Sequence, residues 1–185
     1  MTNGAYLEAN FGYAFVPYKQ NMGTITKADA TPAGVPLSWS NGNGGYTYGG
    51  DVGYQFIDYM AVELGIFRFP KATARLTTNQ LKFNQFTSWA GYGALKFIAP
   101  IFHHFAIFAK AGAGYYMVNA LPLNTTAFQS KNRFVPVFGS GFDYSFDNSI
   151  MLNLSWTYFS DDSNTTAVVP HINAITAGIG YKFES

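Results

Sequence analysis

The stretch ITAGIGYKF, residues 175–183, sorts its side chains into two unlike sets. Successive side chains of a strand point to opposite faces. Ile175, Ala177, Ile179, Tyr181 and Phe183 therefore share one face, and Thr176, Gly178, Gly180 and Lys182 share the other. A soluble sandwich would bury the bulky face and wet the other, with no reason to keep the wet face so small. In a small membrane barrel the bulky face meets lipid and the narrow face meets a crowded interior.

The same alternation recurs along the chain. Segment 5–16 sets Leu7, Ala9, Phe11, Tyr13 and Phe15 against Glu8, Asn10, Gly12 and Ala14. Segment 46–56 sets Tyr48, Val52, Tyr54 and Phe56 against Thr47, Gly49, Asp51, Gly53 and Gln55, and 61–69 sets Val62, Leu64 and Ile66 against Glu63 and Gly65. Segment 86–97 sorts less cleanly: Trp89, Leu95 and Phe97 oppose Ala90, Ala94 and Lys96, but Tyr92 falls on the narrow side and glycines on the bulky side. Segments 105–118, 134–146 and 150–160 place Lys110, Asp143 and Asn153 on their narrow faces. With 175–183 these make eight strands, each long enough to cross a bilayer at a tilt near 45°.

Composition agrees. The 185-residue chain is 48% hydrophobic and 18% aromatic but only 11% charged, against roughly 25% charged in an ordinary soluble domain. No uninterrupted apolar run approaches the ~18 residues of a transmembrane helix. The absence of cysteine excludes a disulfide scaffold and thiolate metal sites. The near-neutral net charge of +1 argues against a nucleic-acid partner. The expectation is one barrel domain over 1–185, with any export signal already removed.

Connections alternate in length. Those after the second and sixth strands are short, IDYM and DNS, and IAPIFHH after the fourth is somewhat longer. The others are long, about 17–45, 70–85, 119–133 and 160–172. This rhythm predicts an all-β, eight-stranded antiparallel up-and-down transmembrane β-barrel, with short periplasmic turns and long outer loops. Pro136 lacks a ladder donor and is expected near the outer rim or at a bulge. The alternative, a lipocalin-like soluble barrel, would put apolar side chains inside. An eight-strand interior is too narrow for so many stacked aromatics.

Seven charged residues fall on narrow faces, one per segment: Glu8, Asp51, Glu63, Lys96, Lys110, Asp143 and Lys182. Closure would bring them into one lumen, where pairing and trapped water are expected.

Several stretches carry a family resemblance. YGGDVGYQFIDYMAVELGIFRF (48–69) resembles the second hairpin of the OmpA-like transmembrane barrels. PVFGSGFDYSF followed by IMLNLSWTYFS resembles the hairpin of strands six and seven, and ITAGIGYKF the closing strand. The resemblance implies a lumen blocked or gated by a salt-bridge network, with Glu63, Lys96, Lys110 and Asp143 as members. Asn153 and Ser155 stand where OmpA places a basic and an acidic residue, so any gate is wired differently. It also implies that Ile179, Tyr181 and Phe183 form the signal read by the barrel-assembly machinery. Glu184 and Ser185 are either a tail or the start of a linker.

Catalysis finds little support. His103 and His104 are expected in a periplasmic turn and His171 near the outer rim, too far apart to act together. No catalytic residues, cofactor or metal are expected: the methionines are scattered, and GNGG at 42–45 lacks the Lys-Ser/Thr of a phosphate loop. Lys71, Arg75, Lys82, Lys131 and Arg133 near the outer loops are candidate lipopolysaccharide contacts. The function expected is that of a Gram-negative outer-membrane anchor and surface protein, non-enzymatic, with a largely plugged lumen and loops for adhesion or host ligands. The alternatives are a narrow porin-like channel for water or small ions, and passage of a small apolar molecule through a lateral opening.

Overall fold

The computed structural model describes residues 3–18, 37–76, 82–122, 131–146, 149–160 and 171–183. Ten strands make up the wall: β1 (Gly4–Phe15), β2 (Leu37–Ser40), β3 (Gly45–Ile57), β4 (Met60–Arg68), β5 (Ala72–Leu76), β6 (Lys82–Phe102), β7 (Phe105–Pro122), β8 (Lys131–Phe146), β9 (Ile150–Phe159) and β10 (Ile172–Lys182). Each long strand pairs antiparallel with its neighbours in sequence. The β6–β7 and β1–β10 ladders close the sheet into a barrel of eight staves. Closure gives each of the eight staves a paired neighbour on both sides, as the hydrocarbon region demands.

The two extra strands come from broken staves. After Arg68 the third stave stops and resumes as β5, which pairs with the outer end of β6. β2 precedes β3 on the second stave and pairs with β5. The break between β2 and β3 is a turn with Asn41 at φ 55 and Gly44 at φ 141. A Cβ on Gly44 would run into the Ala14 carbonyl, so glycine is required there.

Several expected boundaries are corrected. The loop expected at 17–45 contains β2, and that at 70–85 contains β5 and the start of β6. The fourth stave runs on to Phe102, leaving a two-residue turn, His103–His104, in place of the longer link expected. β7 and β8 likewise extend to Pro122 and from Lys131, into the loop expected at 119–133. These additions are polar or irregular in pattern but are held by pairing across the ladder, which alternation along one strand does not report.

Alternation along the staves decides which face meets lipid. Leu7, Phe11, Val52, Leu64, Ile66, Leu95, Phe138, Leu154 and Ile179 are exposed on the outer surface. The exposed tyrosines collect at the two ends: Tyr13, Tyr46 and Tyr48 toward the long loops, and Tyr54, Tyr59, Tyr144 and Tyr181 toward the short turns. That is where amphipathic rings sit at membrane interfaces. Pro136 is exposed on β8, one residue beyond the last β8–β9 pair; its carbonyl accepts from Ser160 N at 3.0 Å, but it has no N–H to return the bond, and the ladder ends there. At the inner end, Phe183 N donates to Ala5 O at 2.8 Å and Lys182 N to Ser149 O at 2.7 Å, tying the last strand to its neighbours.

Candidate functional site: the lumen

All seven charged side chains expected inward are buried in the lumen, each at 6% exposure or less. Their arrangement follows from register. Lys96 and Lys110 stand directly opposite each other on β6 and β7. Glu8 and Asp51 stand directly opposite on β1 and β3. Like charges at such positions repel, so each pair needs compensation from another strand.

The lysines have it. Lys110 Nζ donates to Glu63 Oε1 at 2.8 Å. Lys96 Nζ lies 2.9 Å from Asp143 Oδ2 and 3.8 Å from Glu63 Oε2. Lys96 also rests over the Phe108 ring, 4.1 Å from its centroid. Asp143 accepts a further bond from Asn153 Nδ2 at 2.8 Å. Glu63 on β4, Lys96 on β6, Lys110 on β7 and Asp143 on β8 thus form one cluster across four staves.

Tyr92 is the hub of this tier. Its hydroxyl accepts from Lys110 Nζ at 2.6 Å and lies 2.6 Å from Glu63 Oε1 and 2.8 Å from Asp51 Oδ1. Its single proton serves one carboxylate at a time. Asp51 Oδ2 accepts from Asn10 Nδ2 at 2.6 Å, and Glu63 Oε2 from Tyr6 OH at 3.0 Å. Lys182, nearer the inner end, donates to Gln55 Oε1 at 2.5 Å.

Apolar layers lie on both sides of the charged tier. Toward the long loops, Phe67, Phe69, Phe86, Tyr116, Val135, Val137, Phe159 and Ile172 form a cluster that reaches down to Tyr92. Phe67 stacks on Tyr92 at 6.1 Å, and Phe159 meets Phe67, Phe69 and Tyr92 edge-on at 5.6–6.4 Å. Toward the short turns, Tyr6, Ala61, Ile98, Ala106, Phe108 and Met151 form a second cluster. The interior is therefore less uniformly small and charged than the narrow faces suggest. Phe67 shares the parity of Glu63 and Gly65, and Phe159 that of Asn153, so alternation could have placed both inside.

The tiers contribute differently. Fully burying one phenylalanine is worth about 1.5–3 kcal/mol, whereas a buried ion pair roughly breaks even against well-packed apolar groups. Stability resides mainly in the ladders and aromatic layers. The charged tier makes register errors costly, because a one-residue slip would turn its charges into lipid.

The remaining candidates are dispersed. Lys71 is exposed and its carbonyl accepts from Asn41 Nδ2 at 3.2 Å. Arg75 and Arg133 are half-buried, and the side chains of Lys82 and Lys131 lie outside the described residues. Arg68 was not anticipated. It is exposed on the outward face of β4, in register with Tyr48 and Trp89, a position that its parity with Leu64 and Ile66 would have revealed. Ile179, Tyr181 and Phe183 all project outward. His103 and His104 occupy the inner turn and His171 precedes β10 at the other end. Tyr18, just past the outer end of β1, is buried and hydrogen-bonded to Ser88, and its desolvation raises the phenol pKa above its ordinary value. Among the described residues no group of three or more His, Cys, Asp or Glu is set to hold a metal.

A sequence model of the OmpA-like transmembrane domain matches residues 37–185. The chain belongs to the OmpA-like transmembrane domain family. Solved outer-membrane barrels share the fold of this OmpA-like barrel at low identity. The outer membrane protein OprG from Pseudomonas aeruginosa is similar with TM-score 0.65 and 16% identity, covering 100% of this chain and 98% of that one. Neisserial surface protein A gives 0.63 and 13%, covering 99% of each. The attachment invasion locus protein Ail of Yersinia pestis gives 0.55 and 15%, covering 99% and 100%. Ail has also been solved with the heparin analogue sucrose octasulfate. No curated protein matches the sequence.

Proposed function

We propose that this OmpA-like barrel is an integral, non-enzymatic protein of the Gram-negative outer membrane, serving as a closed anchor that carries surface loops. The observation that supports a closed lumen is the charged tier held between two apolar layers. An ion would have to pass Glu63, Lys96, Lys110 and Asp143, already paired with one another, and then the rings of Phe67, Phe69 and Phe159. Displacing a packed aromatic layer and breaking buried pairs are both expensive.

The test is conductance of the refolded barrel in a planar bilayer. The wild type is expected to give no stepwise current, and Glu63→Ala or Lys110→Ala alone is expected to stay closed because the aromatic layer remains. A steady wild-type current that either substitution alters would overturn the reading in favour of a channel. That second reading has one observation behind it: the wall formed by β1, β9 and β10 carries Asn10, Asn153, Ser155, Thr176 and Gly178, small or uncharged groups that water could follow.

On the outer surface, Arg68 and Lys71 suit the phosphates of lipopolysaccharide, with Arg75, Lys82, Lys131 and Arg133 as further candidates. Ile179, Tyr181 and Phe183 suit recognition by the barrel-assembly machinery. The loop segments 19–36, 77–81, 123–130 and 161–170 lie outside the described residues, and we assign them the contact with host surface ligands. Titration of the folded barrel with sucrose octasulfate tests this. Saturable binding lost on replacing the loops supports it, and no binding removes sulfated sugars as the ligand class.

A further inference from the structure

We propose that Glu8 and Asn10, whose side chains lie over Gly178 and Gly180 of β10, hold one monovalent alkali cation inside the lumen. Three observations lead there. The first is charge. Among the described residues four buried carboxylates, Glu8, Asp51, Glu63 and Asp143, meet three buried ammonium groups, Lys96, Lys110 and Lys182, which leaves one negative charge. Lys96 and Lys110 are engaged with Glu63 and Asp143, and Lys182 with Gln55. Among the described residues Glu8 makes no ion pair within 4 Å, and Asp51, its direct neighbour on β3, carries the same sign. An uncompensated buried charge beside another of like sign is costly.

The second observation is unmet hydrogen-bonding capacity. Glu8 Oε1 and Asn10 Oδ1 are buried acceptors without a partner. Their residues are 6% and 5% exposed and share the inward face of β1. Buried polar atoms in folded proteins are nearly always satisfied, and such exceptions mark a bound water or ion.

The third observation is how the two side chains are placed. Gly178 and Gly180 lie across β1 from Asn10 and Glu8 in the ladder. A Cβ on Gly178 would run into Asn10 Oδ1, and one on Gly180 would come within 2.7 Å of Glu8 Cγ. Glu8 and Asn10 therefore lean over the two positions of β10 that lack a side chain. Asn153, in register with Gly178, is the inward side chain on the next strand, β9. One carboxylate and one amide oxygen, completed by water, form a hard-oxygen donor set of charge −1. That charge matches a monovalent ion and is too low for a dedicated divalent site.

The experiment is a comparison of thermal unfolding in detergent, read as loss of the folded band on a gel. Sodium and potassium chloride are compared with choline chloride at equal ionic strength. The wild type is expected to unfold roughly 3–5 °C higher in an alkali salt, as for a ligand that binds only the folded state. Glu8→Gln and Gly178→Ala are expected to lose this difference, and Lys71→Gln to keep it. Equal unfolding of the wild type in all three salts overturns the proposal. So does a protonated-carboxyl infrared band at neutral pH that disappears in Glu8→Gln, because a proton would then neutralise the site. Should those variants fail to fold, crystals of the wild type grown with Tl⁺ decide: an anomalous peak bonded to Glu8 Oε1 and Asn10 Oδ1 supports the proposal, and its absence overturns it.

Discussion

On β6 and β7 two lysines face each other across one ladder, and on β1 and β3 two carboxylates do the same. The lysines are neutralised from outside their own ladder, by Glu63 on β4 and Asp143 on β8. Among the described residues the carboxylates receive only neutral donors within hydrogen-bond reach, Asn10 and Tyr92 on Asp51. The lesson is that the shortest ion pair of each lysine joins strands that are not neighbours in the sheet, Lys110 to Glu63 on β4 and Lys96 to Asp143 on β8, because closure brings them near across the lumen. The lysine side locks four staves together. The carboxylate side is left with spare acceptors and a spare charge.

The sharpest way to break this comparison is to remove Glu63. Glu63→Ala takes the carboxylate from the Lys110 ammonium and leaves Lys96 with Asp143 alone, and a loss of about 3–5 kcal/mol is expected in urea unfolding followed by tryptophan fluorescence. A loss below 1 kcal/mol would mean that water or Asp143 alone satisfies both lysines. Next comes Phe159→Ala, which opens a cavity above Tyr92 and is expected to cost about 3 kcal/mol in the same assay. Paired with Glu63→Ala, it is also the combination expected to give measurable bilayer current.

Tyr92→Phe tests the link between the two sides. It removes the hydroxyl that joins Lys110 and Glu63 to Asp51. The expected cost is about 1–3 kcal/mol, the range for stranding buried hydrogen-bond partners. The smallest effect is expected at Asp51→Asn. Relieving the direct opposition to Glu8 should leave stability unchanged or raise it by about 0.2–1 kcal/mol. Removing a carboxylate charge would then be severe at Glu63 and mild at Asp51. Equal costs at the two positions would show that the two sides are compensated alike.

Much of the wall was legible because its signal is local. Glu8, Glu63 and Lys96 each sit among outward-facing neighbours at odd spacing, so a period of two sorts them without knowledge of any partner. Tyr92 was visible only as a misfit, a large ring on a narrow face. Its role as hub depends on Lys110, Glu63 and Asp51, which lie 18, 29 and 41 positions away in the chain. β2 and β5 were missed because LSWS and ATARL are short and carry no distinctive alternation. Each is a strand through its pairing with the other and with β6.

Taken alone, the sequence determined that this chain makes membrane-crossing strands, how many long ones, and which side chains face in. Those properties follow from alternation, composition and connection length, which are read one strand at a time. Tertiary structure alone decided which charges meet, that aromatic layers lie on both sides of them, and that Glu8 and Asn10 overlook two glycines. These depend on register and closure. A relative shift of one stave by two residues would preserve every inward and outward assignment while changing every partner.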